Sequence, residues 1–240
     1  MQHLRMPSRS KLGLLFLHAL PLDGSMWAGQ GKLLPNSTYT PTLYSLGASV
    51  EDWAASALRQ VREERLIVVG CSVGGSCALE VAAAAPERVA ALVLIGTKAR
   101  HNPNSQLYAS ALDLITEQGL EAAWAAFWAP LFSQKASSAA VNAAKEIFNR
   151  QSANDIANGI AAFHTRPSRD QFLSRFSGSL TVVSGEDDVA PGVEVSTKQA
   201  ASASKGTLEI IPECGHYVPL EKPEYLNKIL RDVISAHGTI

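Results

Sequence analysis

The sequence predicts an α/β protein: a doubly wound, mostly parallel sheet carrying a small helical insertion. Three observations predict it. Five short apolar runs are continuous instead of alternating, as strands read when helices cover both faces of a parallel sheet. Stretches with helical spacing lie between them, the pattern of repeated βαβ units. One segment, 101 to about 174, breaks the alternation and contains no strand-like run. A length of 240 residues suits one large domain with a substantial core.

The first predicted strand is "LGLLFL" (12–17). Arg5, Arg9 and Lys11 precede it, which faintly resembles a secretory signal. The run is short, continues into His18 and lacks a small-residue cleavage site, so it is read as a buried strand. "VEDWAASALRQVREE" (50–64) predicts a helix. Trp53, Ala54, Ala57, Leu58 and Val61 share one face, and Glu51 and Asp52 sit where the helix dipole favours acids. "LIVVG" (66–70), "ALVLIG" (91–96), "LTVVS" (180–184) and "TLEII" (207–211) supply further strands. The C-terminal "YLNKILRDVI" repeats the amphipathic pattern through Leu226, Ile229, Leu230 and Val233. The expected division is a core of 1–100 and 175–240 and a helical cap of 101–174. That cap is rich in alanine and holds Trp124, Phe127 and Trp128 together.

Composition narrows the functional classes. Apolar residues make up 46% and charged residues 18%, so the chain is globular rather than disordered. A net charge of −1 points to neither nucleic acid nor an anionic membrane as partner. No apolar run approaches the roughly 18 residues that span a bilayer. Three cysteines, Cys71, Cys77 and Cys214, are too few and too scattered for a disulfide framework, and no Cys/His spacing suggests a metal. A reducing cytoplasm is the expected compartment. Cys71 is expected to point into the sheet packing and Cys77 into the core.

The chemistry is announced at "IVVGCSVGGSCALEVA" (67–82). Gly70-Cys71-Ser72-Val73-Gly74 matches G-x-S-x-G, a serine on a strained strand-to-helix turn. The neighbours two residues away must be small, and the turn lifts the hydroxyl to a helix N-terminus that favours negative charge. A serine needs a base, and the base needs an orienting acid. "GEDDVAP" follows the strand "LTVVS" and offers Asp187 and Asp188. "PECGHYVPLEKPE" follows "TLEII" and offers His216. The order serine, aspartate, histidine is that of nucleophile-elbow enzymes. Both loops follow strand ends, where open α/β sheets hold their ligands.

On these residues the sequence closely resembles the α/β-hydrolase family, over nearly its whole length. "FLHALPLDGSMW" (16–27) looks like the family's oxyanion loop, "PERVAALVLIGT" (86–97) like the strand after the elbow helix, and "GHYVPLEKPE" (215–224) like the histidine segment. The resemblance implies Ser72 as nucleophile, His216 as base, and the backbone N–H groups of Leu20 and Val73 as the oxyanion hole. It places the acid three residues after the glycine ending the strand, which selects Asp188. Counting back four from Pro191 selects Asp187 instead. Asp188 is preferred, because a strand end fixes geometry better than a variable loop. Two departures stand out. Ala19 occupies a position where the family has glycine, and "TLYSLGASVED" replaces the usual Asp-x-x-Gly-x-Gly-x-Ser stretch.

The resemblance is to small carboxylesterases and to lactonases like 3-oxoadipate enol-lactonase. It implies a small-molecule ester or lactone as substrate and no metal or organic cofactor. Hydrolysis of a carbon–carbon bond and cofactor-free haloperoxidase chemistry use the same triad and stay open; a non-catalytic binding protein is a more distant alternative. A serine nucleophile argues against dehalogenases and epoxide hydrolases. Trp27, Phe127, Trp128 and Tyr217 are candidates for the acyl pocket. His164 and Arg166 are candidates to meet a substrate carboxylate, although solvated cap residues are the expected reading.

Overall fold

The computed structural model describes residues 11–238. Six strands form one sheet: β1 (Leu12–Leu17), β2 (Thr38–Tyr39), β3 (Arg65–Cys71), β4 (Val89–Ile95), β5 (Ser179–Gly185) and β6 (Gly206–Ile211). Every pairing is parallel, in the order β2-β1-β3-β4-β5-β6. From β1 the chain first moves outward to β2, then returns to β3 on the other side. The crevice between the C-terminal ends of β1 and β3 is therefore a topological switch point, the usual ligand position in such sheets. Leu20 follows β1 there, and Ser72 follows β3.

Helices cover the faces. α1 (Val50–Gln60) starts with the Ser49 side chain accepting from the Asp52 N–H. It buries Trp53, Ala54 and Ala57 as its spacing predicts. It stops at Gln60, short of the expected end at 64, because Val61 turns extended and is itself buried. α2 (Val73–Ala84) is buried along almost its whole length, which explains its alanine- and glycine-rich composition. α9 (Pro223–His237) buries Leu226 and Leu230, again as its spacing predicts. The "LGLLFL" run forms β1; Arg5 and Arg9 lie outside the described residues.

Two strands depart from expectation. β2 is only two residues long, too short to leave a periodicity signal. β6 lies at the sheet edge, and of "TLEII" only Ile211 is buried; Ile210 is 46% exposed. Its continuous apolar look does not mark a strand covered on both faces, because an edge strand has a neighbour on one side alone.

Between β4 and β5 the chain is helical: α3 (Ser105–Ala123), α4 (Ser138–Phe148), α5 (Ala153–Thr165) and α6 (Asp170–Leu173), with a π-turn at Trp124–Trp128. Gly119 breaks α3 with φ +83°. The return to the core is pinned by Arg169, whose Nε and Nη2 donate to both Glu80 oxygens on α2 at 2.7 and 2.6 Å. Two further helices, α7 (Val193–Ser202) and α8 (Val218–Glu221), follow β5 and β6. No described helix is long and apolar enough to cross a membrane.

Candidate active site

Ser72 sits between the end of β3 and the start of α2 with φ +55° and ψ −120°. For a residue with a Cβ this is a strained conformation, costing about 1–3 kcal/mol. The glycines around it are forced by close backbone approach. A Cβ on Gly70 would lie 2.3 Å from the Gly74 carbonyl oxygen, and one on Gly74 would lie 2.2 Å from that of Leu17. A Cβ on Gly75 would meet the Thr97 hydroxyl at 2.0 Å. That hydroxyl donates to the Ser72 carbonyl at 2.9 Å, tying the turn to the end of β4.

His216 is held from several sides. Its Nδ1 lies 3.1 Å from both carboxylate oxygens of Asp188, and the two side chains are almost completely buried. An Nδ1–H donated to Asp188 leaves Nε2 as the acceptor. The His216 backbone N–H donates to the Leu131 carbonyl. Glu221, at the end of α8, accepts N–H groups from Ser133, Gly215 and Tyr217 at 3.1, 3.0 and 3.1 Å, bracketing the histidine. Burial raises the Glu221 pKa, and those three N–H groups oppose the shift. Gly96 makes room for the pair: with φ +55°, a Cβ there would lie 2.7 Å from His216 Nδ1 and 3.1 Å from Asp188 Oδ2. Asp187 points elsewhere and accepts from the Ser133 hydroxyl at 2.5 Å. Of the two candidate acids, the structure brings Asp188 to the histidine.

The loop after β1 is equally constrained. His18 is fully buried; its Nε2 accepts from the Leu43 N–H at 2.8 Å and its Nδ1 lies 3.1 Å from the Ala19 carbonyl. One accepting and one donating nitrogen require the neutral ring. Ala19 is buried, donates its N–H to Met26 Sδ, and has no positive φ, so glycine is not required there. The Tyr217 hydroxyl donates to the Leu20 carbonyl at 3.0 Å. Among the described residues, neither the Leu20 nor the Val73 N–H donates to a protein acceptor.

Burial lowers the His18 pKa from 6.5 to about 4, against weaker opposing effects of the Ala19 carbonyl and Asp23. As pH falls below 6.5, the unfolded chain takes up this proton before the native one. The His18 contribution is therefore complete above about pH 6.5 and is lost as pH falls toward 4. Between pH 7 and 5 this should remove about 2 kcal/mol of unfolding free energy. Urea titrations at the two pH values, on wild type and His18→Gln, check it: the variant should show the shallower pH dependence.

Ser72 and His216 line one cavity of about 280 Å³. Leu20, Gly96 and Thr97 contribute from the sheet edge, and Phe127, Trp128, Leu131, Ile160, Phe163 and others from the helical segment. The Ser72 hydroxyl shares this cavity with His216 and makes no hydrogen bond among the described residues; catalytic hydrogen bonds are often long in unliganded sites.

A sequence model of the "Alpha/beta hydrolase family" matches residues 14–229. The chain belongs to this family. A Bacillus subtilis (strain 168) protein named "Putative 2-succinyl-6-hydroxy-2,4-cyclohexadiene-1-carboxylate synthase" is 27% identical over 206 residues, covering 80% of this chain and 74% of that protein. Among solved structures, a thermophilic esterase from Thermogutta terrifontis superposes with a TM-score of 0.86 at 21% identity, covering 96% of this chain and 92% of the other. The enol-lactonase from Burkholderia xenovorans LB400 does so with a TM-score of 0.80 at 16% identity, covering 95% and 92%. At these identities the superpositions show the alpha/beta hydrolase fold.

Not every predicted pocket residue of this alpha/beta hydrolase reaches the cavity. Trp128 and Phe127 line it. Trp27 does not: it is fully buried, packed on Phe16 with ring centres 4.9 Å apart, because the short turn Gly24–Trp27 folds it into the core. Tyr217 does not line it either. Its ring packs between Phe132 and His216, and its hydroxyl is committed to Leu20. Trp124 stacks within the helical segment on Phe148. Arg166 corrects the expectation of a solvated residue: it is 4% exposed and lines the cavity with His164. Cys71 and Cys77 are buried as expected, and burial pushes both thiols up. Sequence reasoning missed Gly96 and Glu221. The first is the glycine closing "ALVLIG"; the second lies inside "GHYVPLEKPE", five residues past His216, where the segment's resemblance singles out the histidine alone. Among the described residues no cluster of His, Cys, Asp and Glu has the makings of a metal centre.

Proposed function

We propose that this alpha/beta hydrolase is a serine hydrolase that cleaves a small carboxylic ester or lactone through an acyl-enzyme. One observation carries the reading: Ser72, strained at the N-terminus of α2, shares a cavity with His216, whose Nδ1 is held by the buried Asp188. His216 Nε2 takes the Ser72 proton as Oγ bonds to the substrate carbonyl carbon. The N–H groups of Leu20 and Val73 hold the resulting oxyanion. The carbon–oxygen bond to the leaving group then breaks, and His216 returns the proton to that oxygen. Water, deprotonated by His216, adds to the acyl carbon; Ser72 leaves and regains its proton, and the acid is released. Residues 101–174 act as a cap that shapes the acyl pocket.

The Bacillus subtilis relative favours a second reading, because its name describes a carboxylate synthase rather than a hydrolase. The same cavity would then serve to form a carboxylate compound of the kind that name describes.

A panel of aryl esters of increasing chain length, with simple lactones, tests the first reading; turnover of none of them would contradict it. Trp128 is the residue to vary within that panel. It lines the cavity and also packs on Phe127 and Phe148, with ring centres 6.0 and 5.9 Å apart. Truncation to alanine would remove both roles at a cost of about 3–5 kcal/mol. Trp128→Phe keeps the contact with Phe148 and enlarges the pocket. We expect the preferred acyl chain to lengthen, each added methylene being worth about 1–3 kcal/mol in kcat/KM. An unchanged chain-length profile would place the pocket wall elsewhere.

A further inference from the structure

We propose that the substrate of this cavity carries a carboxylate in addition to its scissile bond, and that Arg166 receives that carboxylate. The inference rests on the proposed hydrolase reading and specifies its substrate class.

Charge in the cavity is one-sided. Lys98, His164, Arg166 and His216 line it, and among the described residues no aspartate or glutamate does. Arg166 is set apart by its burial: at 4% exposure it has no carboxylate partner among the described residues. Arg169, in the same loop, shows the contrast, because both oxygens of Glu80 satisfy it. The Arg166 guanidinium lies 3.8 Å over the Phe163 ring, and Nη1 donates to the Phe163 carbonyl at the end of α5. Its remaining N–H groups donate to nothing among the described residues. Burial lowers its pKa to about 10, which leaves it charged at neutral pH. His164, stacked on Tyr108, has its pKa lowered by burial and then by Arg166, and adds a polar wall.

A buried charge without a counter-ion is costly, and a native fold retains one where a ligand supplies the partner. Capping the α5 carbonyls accounts for one N–H group and does not require burial facing a cavity. A planar guanidinium with free N–H groups matches a carboxylate in the two-bond geometry that also gives directional selectivity. Phe127, Trp128 and Leu131 offer apolar contact to the rest of the molecule. The fitting substrate is a half-ester or lactone of a small dicarboxylic acid.

The test compares 4-nitrophenyl hemiglutarate with its neutral methyl ester, using the full chain. Wild type should favour the anionic ester in kcat/KM by about tenfold or more, and Arg166→Gln should lower that ratio by about 10- to 100-fold. Arg166→Lys should retain part of it. A pure helix-capping role would lower the melting temperature and leave the ratio unchanged, which overturns the proposal. So does a wild type without preference for the anionic ester, a result that stands even where Arg166→Gln fails to fold. Calorimetric titration with glutarate separates the subsite from the hydrolase reading. Binding to wild type that weakens about tenfold or more in Arg166→Gln supports the subsite even without ester turnover. No binding, or binding of inorganic phosphate in preference to glutarate, overturns it.

Discussion

Ser72→Ala should lower kcat for ester hydrolysis by about 10⁴- to 10⁶-fold while leaving the fold intact. The size follows from the division of labour. Without Oγ no acyl-enzyme forms, and only the oxyanion donors and the binding of substrate remain. Alanine also keeps the Cβ that the elbow already accommodates at φ +55°. Thermal unfolding of the variant should therefore match wild type closely. Near-normal turnover by Ser72→Ala, on a protein shown to be folded, would remove the serine from the mechanism.

The second large effect separates two adjacent acids. Asp188→Asn should lower kcat by about 10⁴-fold, because an amide facing Nδ1 favours the ring tautomer with its proton on Nε2, where the Ser72 proton must go. Asp187→Asn should change kcat by less than about tenfold, since its carboxylate accepts from the Ser133 hydroxyl and does not face His216. Steady-state kinetics of the two variants on one aryl ester decide the matter. The opposite ranking would mean that the His216–Asp188 pairing is not the one used in turnover.

Much of the fold was legible because a buried parallel strand writes itself as a continuous apolar run. β1, β3, β4 and β5 are such runs, and α1 and α9 show the expected buried faces. β2 was invisible because two residues carry no period, and β6 misled because apolar side chains at a sheet edge remain partly exposed. The turn bearing Ser72 was legible because close backbone approach fixes glycines at set spacings around it, and His216 because it follows a glycine just past the last strand. Asp188 was separable from Asp187 only by counting from the strand end; in the folded chain it is the Asp188 carboxylate that lies against His216. The pocket wall was not legible. Trp27, Trp128 and Tyr217 are all large apolar residues in plausible segments, and only tertiary packing decides that Trp128 faces the cavity. The burial of Arg166 is not legible because charge alone does not reveal it; its lack of a carboxylate partner among the described residues is a property of the folded chain.

The mechanism turns on acylation of Ser72. An activated aryl carbamate, 4-nitrophenyl N-methylcarbamate, tests it most directly, since the carbamoyl-enzyme it forms hydrolyses slowly. A burst of one equivalent of 4-nitrophenol per chain is expected, with the carbamoyl group found by peptide mass mapping on the segment bearing Ser72. A chain that releases no burst, or that carries the group on another residue, would contradict it.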